Sequence, residues 1–512
     1  MKIQGSIRNR RDFLKTLALG SGALAFPGRW MRGRGFAGSS EKPPNFVLVL
    51  IDDMGWKDTG ATGSLYYQTP NIDAIAEAGM MLDQAYSAAP VCSPSRGALL
   101  SGKNPARTDL TTVARLTDPY GGLHEITAPR RGNRPVHEGY NRQVLPLDEV
   151  TIAEAMAEGG YATAHFGKWH CGSHRNYLPD KQGFQYTDSF SSVLRDVKAS
   201  KDGQSSGDVK AIDAITKASV DFIEKHRDRS FFLYVSHYAM HRPLMAHPEL
   251  IEKYKSLDST DQDNPVFAAL LESLDDSIGE IDQTLERLGL KDNTVFIFAS
   301  DNGGLTLGST SNYPLLGGKS FPYEAGMRTP LFFRWPGRIK SGRRTSTRAI
   351  HMDLYPTMLE MAGLPLRPKQ HLDGQSLMPL LTEKGAFPER SLYFHSPHYT
   401  HATGPFSSII EKDWKLIRWY NDTSGAYSLF NLKQDPAELN DLSERYPDRV
   451  KQLSRQLEQY LKETDAQIPF PNPDYDPTKP SYLDKRATRE LAMKERRELE
   501  RRLREYEKKH RR

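Results

Sequence analysis

Apolar positions along this chain fall into two regimes. From Asn45 onward, unbroken apolar runs alternate with stretches of helical spacing. Phe46 to Ile51 is the clearest run, six apolar residues ending in Asp52-Asp53. A strand with one wet face alternates polar and apolar residues, so a run with no polar position belongs inside a parallel sheet, covered on both faces. Ala162–Phe166, Phe231–Ser236 and Val295–Ala299 read as further strands, the last running into Asp301-Asn302. Between them, Asn71–Gly79, Thr151–Gly159, Ile212–Lys225 and Val266–Leu288 carry helical spacing. Strands alternating with helices predict an α/β fold, a large, mostly parallel mixed sheet with helices on both faces.

The second regime begins near residue 391. Ser391–Phe394, Ser407–Ile410, Lys415–Trp419 and Tyr427–Asn431 are short strand-like runs separated by turn residues. Pro447–Glu463 reads as an amphipathic helix, with proline suited to its first position. The expectation is a small C-terminal antiparallel sheet with one packed helix. The boundaries that follow are 43–390 for the large domain, 391–470 for the sheet subdomain and 471–512 for a linker and charged helical tail. Sparse apolar positions in that tail (Leu491, Met493, Leu499, Leu503, Tyr506) allow a solvated helix with i,i+4 pairs, docked at most along one weak stripe.

Residues 1–25 read as an address. Asn9-Arg10-Arg11-Asp12-Phe13-Leu14-Lys15 precedes a short apolar region that ends near Ala23-Leu24-Ala25. A charged start, a short apolar core and an A-x-A site make a cleavable signal, and the paired arginines resemble a twin-arginine export signal. An ordinary secretory signal is the alternative. Residues 26–42 then form a flexible leader. Export by the twin-arginine machinery to a bacterial periplasm or beyond is the expected localisation.

Charge changes the picture only once it is placed. The 512 residues carry 69 Lys+Arg against 64 Asp+Glu, a net +5. Residues 1–40 hold +7 and 484–512 hold +6, so the body between them is −8. A basic total therefore gives no ground for nucleic-acid binding. Two cysteines exclude a disulfide framework, and no apolar run after residue 26 is long enough for a membrane span.

Ligands of open α/β sheets collect outside the carboxyl ends of the strands, where Asp52-Asp53 and Asp301-Asn302 both fall. Three carboxylates and an amide brought together need a cation, and an all-oxygen set suits Ca²⁺ or Mg²⁺. Helix capping after a strand is the plainer alternative for either pair alone. Val91 to Gly102 reads as a helix with Ser93 as N-cap, Pro94 at its first position and Gly102 as its stop. Cys92 then sits at a helix N-terminus that favours an anion or a polarised oxygen, and Arg96 faces the same end. A buried apolar thiol is the alternative for Cys92 by itself.

With these residues in view the chain resembles the type I sulfatases of the alkaline phosphatase superfamily. Cys92-Ser93-Pro94-Ser95-Arg96 fits their C-x-P-x-R maturation motif. Asp52-Asp53-Met54-Gly55, Gly167-Lys168-Trp169-His170-Cys171-Gly172 and His241-Arg242-Pro243 match further family segments in order. So do Asp301-Asn302-Gly303-Gly304, Gly317-Gly318-Lys319, Glu324 to Pro330, and Leu429-Phe430-Asn431-Leu432 with Asp435-Pro436-Ala437-Glu438. The resemblance covers roughly 45–465 and implies an alkaline-phosphatase-like fold. It implies a sulfatase whose Cys92 is oxidised to formylglycine by a maturation enzyme. One hydroxyl of the hydrated aldehyde attacks sulfur, and the other releases the sulfate as the aldehyde re-forms. Asp52, Asp53, Asp301 and Asn302 would hold Ca²⁺ (Mg²⁺ being second choice), with the residue-92 oxygen as a further ligand. Arg96 and Lys168 would orient the diol and His170 would take its second proton. His241, preferred over His237 for its H-x-P setting, and Lys319 would bind sulfate and assist the leaving oxygen.

The substrate is read from the insertion between the Cys92 helix and Thr151. Its basic residues, among them His124, Arg130, Arg131, Arg134 and His137, suit an anionic sugar at the mouth of the site. A solvated loop serving solubility is the alternative. A sulfated sugar or polysaccharide fragment is thus the expected substrate. Two other classes stay open: a phosphonate or phosphodiester hydrolase of the same superfamily, and a non-catalytic glycan-binding relative.

Overall fold

Eight strands form the main sheet of this protein, shown here as a computed structural model describing residues 42–114, 132–198, 200–306, 308–422 and 427–510. The expected signal, the leader up to residue 41 and the loop residues His124, Arg130 and Arg131 lie outside the described residues. In chain order the elements are β1 (Asn45–Ile51), α1 (Pro70–Glu77), β2 (Met80–Leu82), α2 (Cys92–Ser101), α3 (Ile152–Glu158), β3 (Ala162–Gly167) and β4 (Tyr186–Asp188). They continue with α4 (Ile212–Lys225), β5 (Phe231–His237), α5 (Pro265–Arg287), β6 (Thr294–Ser300), β7 (Leu331–Arg334), β8 (Arg343–Thr345) and α6 (Leu354–Met361). The strand order is β8-β2-β7-β6-β1-β5-β3-β4. The central strands β6, β1, β5 and β3 run parallel, whereas β7 is antiparallel to both its neighbours, so the sheet is mixed.

The apolar runs explain the layering. Alternate residues of β1 face opposite sides, and both sides are covered. Val47, Val49 and Ile51 join α1, α4 and α5 in one core, while Phe46, Leu48 and Leu50 join α2, α3 and α6 in the other. Every β1 residue is buried. Because β1 pairs in register with both β5 and β6, Ile51 lies level with His237 and Ser300, and their carboxyl ends open onto one edge.

The C-terminal strands are β9 (Leu392–Ser396), β10 (Phe406–Glu411), β11 (Trp414–Trp419) and β12 (Tyr427–Asn431), an antiparallel meander. One face is covered by α7 (Pro447–Glu463) through Leu453, Leu457 and Leu461. The final helix α8 (Lys485–His510) uses its weak apolar stripe: Thr488 and Ala492 are buried, and Leu491 and Met493 pack on the cluster holding Phe321 and Tyr323. Among the described residues no helix is long and apolar enough to cross a membrane.

One local expectation is corrected. Helix α2 begins at Cys92 itself, with Val91 as an extended N-cap that offers no side-chain hydrogen bond. Ser93 is already helical, and its hydroxyl accepts from the Ala114 amide at 2.9 Å instead of capping. Gly102 ends the helix in the left-handed region as expected, at φ 68°.

Candidate active site and metal centre

The two acidic strand ends are brought together by the pairing of β1 with β6. The Asp53 amide donates to Asp301 Oδ1 at 3.1 Å, and Asn302 Nδ2 donates to Asp53 Oδ1 at 2.9 Å. The next residue must be glycine, since a Cβ on Gly303 would stand 1.8 Å from the Ala325 carbonyl oxygen. Asp52, Asp53, Asp301 and Asn302 are all buried.

Cys92 enters this cluster from the first turn of α2. Its Sγ lies 3.4 Å from Asp52 Oδ1 and 3.7 Å from Asp53 Oδ1. One ligand atom from each of Asp52, Asp53, Cys92 and Asp301 fits within 4.8 Å of the others. Burial, then the Asp301 charge, pushes the thiol well above its usual range. Burial likewise lifts Asp301 to about 6, against the pull of Arg96.

Three cations balance the three carboxylates. Arg96 is wholly buried; its Nε donates to Asp301 Oδ2 at 2.7 Å, and its Nη1 to the Lys168 carbonyl at 2.7 Å and to Ser236 Oγ. Lys168 Nζ reaches Asp52 Oδ2 at 2.6 Å, and Lys319 Nζ reaches Asp53 Oδ2 at 2.6 Å and Cys92 Sγ at 3.5 Å. Burial alone would raise Asp52, but Lys168, His241 and Arg96 hold it well below the carboxylate range. Burial would lower Lys319, yet Cys92, Asp53 and Asp52 hold its ammonium up.

The two histidines differ in setting. His170 stands in the left-handed region at φ 60°, and its Nε2 meets the Ala114 carbonyl at 3.1 Å, so that nitrogen carries the proton. Its Nδ1 is buried without a hydrogen-bond partner, and burial, then Lys168, keeps the ring neutral well below the usual range. His241 Nε2 is 3.8 Å from Asp53 Oδ2, with its side chain 41% exposed, at the open side of the cluster. His237 is buried against Ser277 and away from solvent, which separates the two candidates of that segment. Cys171 is packed in the core beneath, and burial pushes its thiol up to about 12.

Three buried polar atoms of the site residues lack hydrogen-bond partners: Asn302 Oδ1, His170 Nδ1 and Arg96 Nη2, the last with only the Asp52 carboxylate near it at 3.7 Å. Buried polar groups are normally satisfied, so three orphans at one site point to a guest. One of them, an acceptor beside three carboxylates, fits a hard divalent cation.

Lys319 also lines a cleft of about 440 Å³, together with Arg134, Gln143, Tyr399, His401 and Tyr482. The Arg134 guanidinium lies 4.2 Å from the Tyr399 ring and 5.0 Å from that of Tyr482, and pairs with Glu138 at 3.4 Å. His137 instead sits in a two-residue strand paired with Phe470–Pro471, its ring 5.1 Å from Phe470. Tyr399, His401 and Tyr482 were absent from the sequence reading. They come singly from segments far apart, and no spacing announces them.

Comparison with known proteins supplies a family. The model described as Sulfatase matches residues 44–364, and one described as N-sulphoglucosamine sulphohydrolase, C-terminal, matches 316–467. Human N-acetylgalactosamine-6-sulfatase is 33% identical over 71% of this chain and 70% of its own length. Mouse arylsulfatase J is 29% identical over 86% of this chain and 79% of its own. Among solved structures, the one titled Ps i-CgsB aligns with a TM-score of 0.67 at 26% identity, covering 83% of this chain and 94% of that one.

Proposed function

The chain belongs to the sulfatase family, and from that premise we propose that it removes a sulfate ester from a sugar using formylglycine made from Cys92. The observation that carries this reading is the placement of Cys92 Sγ at a helix N-terminus, among Asp52, Asp53, Asp301 and Lys319. Asp52, Asp53, Asp301 and the orphan Oδ1 of Asn302 would hold Ca²⁺ there. A divalent cation held there would polarise the sulfate and favour ionisation of an attacking hydroxyl.

The chain's own residues supply the rest. Arg96 clamps Asp301, the Lys168 carbonyl and Ser236, which fixes the strand ends, and its Nη2, 3.7 Å from Asp52 and without a hydrogen bond, is left to donate to the residue-92 diol. Lys319, held at Asp53 and 3.5 Å from Sγ, and His241 on the open side bind the sulfate and assist the departing sugar oxygen. His170 Nδ1, an unprotonated acceptor, takes the proton of the second hydroxyl. In sequence, one hydroxyl of the residue-92 diol attacks sulfur as the S–O bond to the sugar breaks, and loss of the second hydroxyl's proton then breaks the C–O bond to the enzyme-held sulfate and restores the aldehyde. Donors aimed at such developing charge contribute roughly 3–4 kcal/mol each. The name of the human relative, an N-acetylgalactosamine-6-sulfatase, supports an amino sugar of a sulfated glycan as substrate. Export through a signal at 1–25, as the sequence suggests, would put that work outside the cytoplasm.

Mass spectrometry of the Cys92 peptide from the native host, together with turnover of aryl sulfate, phosphate and phosphonate esters, tests the reading. The expected result is an aldehyde at 92 and preference for the sulfate. A persistent thiol sinks the formylglycine route, and faster phosphonate cleavage by aldehyde-bearing enzyme reassigns the substrate.

A further inference from the structure

The cleft beside Lys319 has no part in the chemistry described so far, yet it adjoins that chemistry directly. Val91, which precedes Cys92 in the chain, lines it, and so does Lys319, whose Nζ reaches Cys92 Sγ at 3.5 Å. Whatever carries a sulfate held at Lys319 therefore has this space next to it.

The cleft's wall is pinned from three distant segments. Arg134, from the insertion, lies against the rings of Tyr399, from the β9–β10 loop, and Tyr482, from the linker that begins at 471. Glu138 pairs with Arg134 and also accepts from the Tyr399 amide at 3.2 Å. The Tyr482 amide donates to the Asn133 carbonyl at 2.7 Å, and Asn421 Nδ2 donates to the Tyr482 carbonyl at 3.1 Å. A Cβ on Gly132 would stand 2.6 Å from the Tyr482 ring. A wall so fixed leaves little ordering for a ligand to bring about.

Strain gathers in the same lining. Gln143 and Ser320 stand in the left-handed region at φ 63° and 74°, where non-glycine residues persist only if their surroundings enforce it. Ser320 follows Lys319, and its amide donates to the Pro90 carbonyl at 2.8 Å. Its Oγ lies 3.4 Å from His401 Nδ1, which leaves Nε2 of that ring without a partner among the described residues. The turn that presents His401 is tightened by Thr400, whose Oγ1 accepts from the Ala402 and Thr403 amides at 3.2 and 3.0 Å.

The side chains in the lining select a ligand class. Lys319 serves the sulfate, Arg134 is matched by Glu138, and no carboxylate is among the described lining residues. What remains is the Gln143 amide, the His401 imidazole and the Thr112 and Thr400 hydroxyls, beside the apolar faces of Val113 and Tyr482. Convergent hydrogen-bonding groups next to a flat apolar face suit a sugar ring, which offers hydroxyls at its edge and C–H groups on its face.

Building on the sulfatase reading above, we propose that this cleft binds the ring of the sugar that carries the scissile sulfate, with His401 Nε2 holding one of its hydroxyls and Tyr482 covering one of its faces. His401 and Tyr482 then set a preference for carbohydrate over aryl esters and take no part in breaking the S–O bond.

Turnover of the 4- and 6-sulfates of galactose and N-acetylgalactosamine, against p-nitrophenyl sulfate, whose ring has no hydroxyl, tests this with the intact protein. The quantity read is the ratio of kcat/KM for the best sugar sulfate to that for the aryl sulfate, which cancels damage common to both substrates. In H401A the ratio should fall about tenfold, one hydrogen bond's worth, and chiefly through the KM of the sugar. H401Q, which keeps a side-chain N–H, should recover part of the loss, and Y482A should lower the ratio too. A ratio unchanged in H401A or in Y482A overturns the proposal, as does H401Q no better than H401A. A wild type that cleaves the aryl sulfate and none of the four sugars does so as well, whether or not any variant folds. Failure of the underlying reading looks different, since the wild type would then not cleave the aryl sulfate at all.

Discussion

Arg96 shows how much one side chain carries here. Its planar fork meets Asp301, Lys168 O and Ser236 at once, and no lysine can span the three. Arg96→Lys should leave Asp301 buried and poorly compensated, at a cost of roughly 3–5 kcal/mol. The expected outcome is a melting temperature several degrees lower and aryl sulfate turnover down by more than about a hundredfold. A variant with wild-type melting and turnover would show the clamp to be incidental. The carboxylates make a second residue-scale prediction. Without a cation, Asp52, Asp53 and Asp301 face one another in a dry pocket, so chelation should lower the melting temperature, and added Ca²⁺ should restore it. Unchanged melting in a metal-stripped sample would remove the cation from this site. At this scale the nucleophile segment was legible because its chemistry is local: five consecutive residues place a cysteine, a helix start and an arginine. Tyr399, His401 and Tyr482 were not, because each is a single residue that only the fold brings to the cleft at Lys319.

Among elements, the strands without polar positions were readable and the short ones were not. β1 and β6 announce themselves because burial on both faces makes their interiors, Phe46–Ile51 and Val295–Ala299, apolar throughout, with polar residues only at their ends. β2 and β8 have three residues each, too few for any period to show. β7 is four residues and antiparallel, set by its partners β2 and β6 rather than by its own sequence. Helix α8 was readable as a helix, but what it holds was not. Lys485 pairs with Asp441 at 2.9 Å, and Arg489 donates to the Glu438 carbonyl at 2.6 Å, both from the stretch after β12. Arg496 donates to the Pro314 carbonyl at 2.6 Å and lies 4.9 Å from the Tyr313 ring, on the loop that leads to Lys319. Removing 485–512 should therefore uncover Phe321 and Tyr323 and loosen that loop. The expected signs are a lower melting temperature, protease cleavage within 308–317 and a raised KM for aryl sulfate, with the Cys92 peptide still converted. A truncated enzyme as resistant and as active as the full chain would make α8 a passive appendage.

At the scale of the whole molecule, the basic total resolves into an acidic body whose stability depends on buried groups of opposite habit. His165, His237, His351 and His395 are enclosed, and burial lowers each from 6.5 to about 3. The unfolded chain takes up those protons near pH 6.5 and the folded chain does not. Their contribution is present above that pH and is lost as pH falls from about 6.5 toward 3. Asp58 and Glu438 go the other way, raised by burial to about 7, and Asp275 to about 6. Their contribution is full below about pH 4 and fades as pH rises toward 7. Between roughly pH 4 and 6.5 the two sets oppose each other, so acidification should change stability little. Below about pH 4 the carboxylate gain is exhausted while the histidines still lose, and stability should fall steeply. Each histidine accounts for up to about 1.4 kcal/mol per pH unit in that window. His237, fully buried against Ser277 and separate from the site cations, isolates one such proton. Melting temperatures of wild type and His237→Gln between pH 3 and 7 should converge as the pH falls, the variant starting lower at neutral pH and losing less on acidification. Parallel curves would mean that His237 accepts its proton in the folded state and that the acid limb is set by other groups, His165, His351 and His395 first among them.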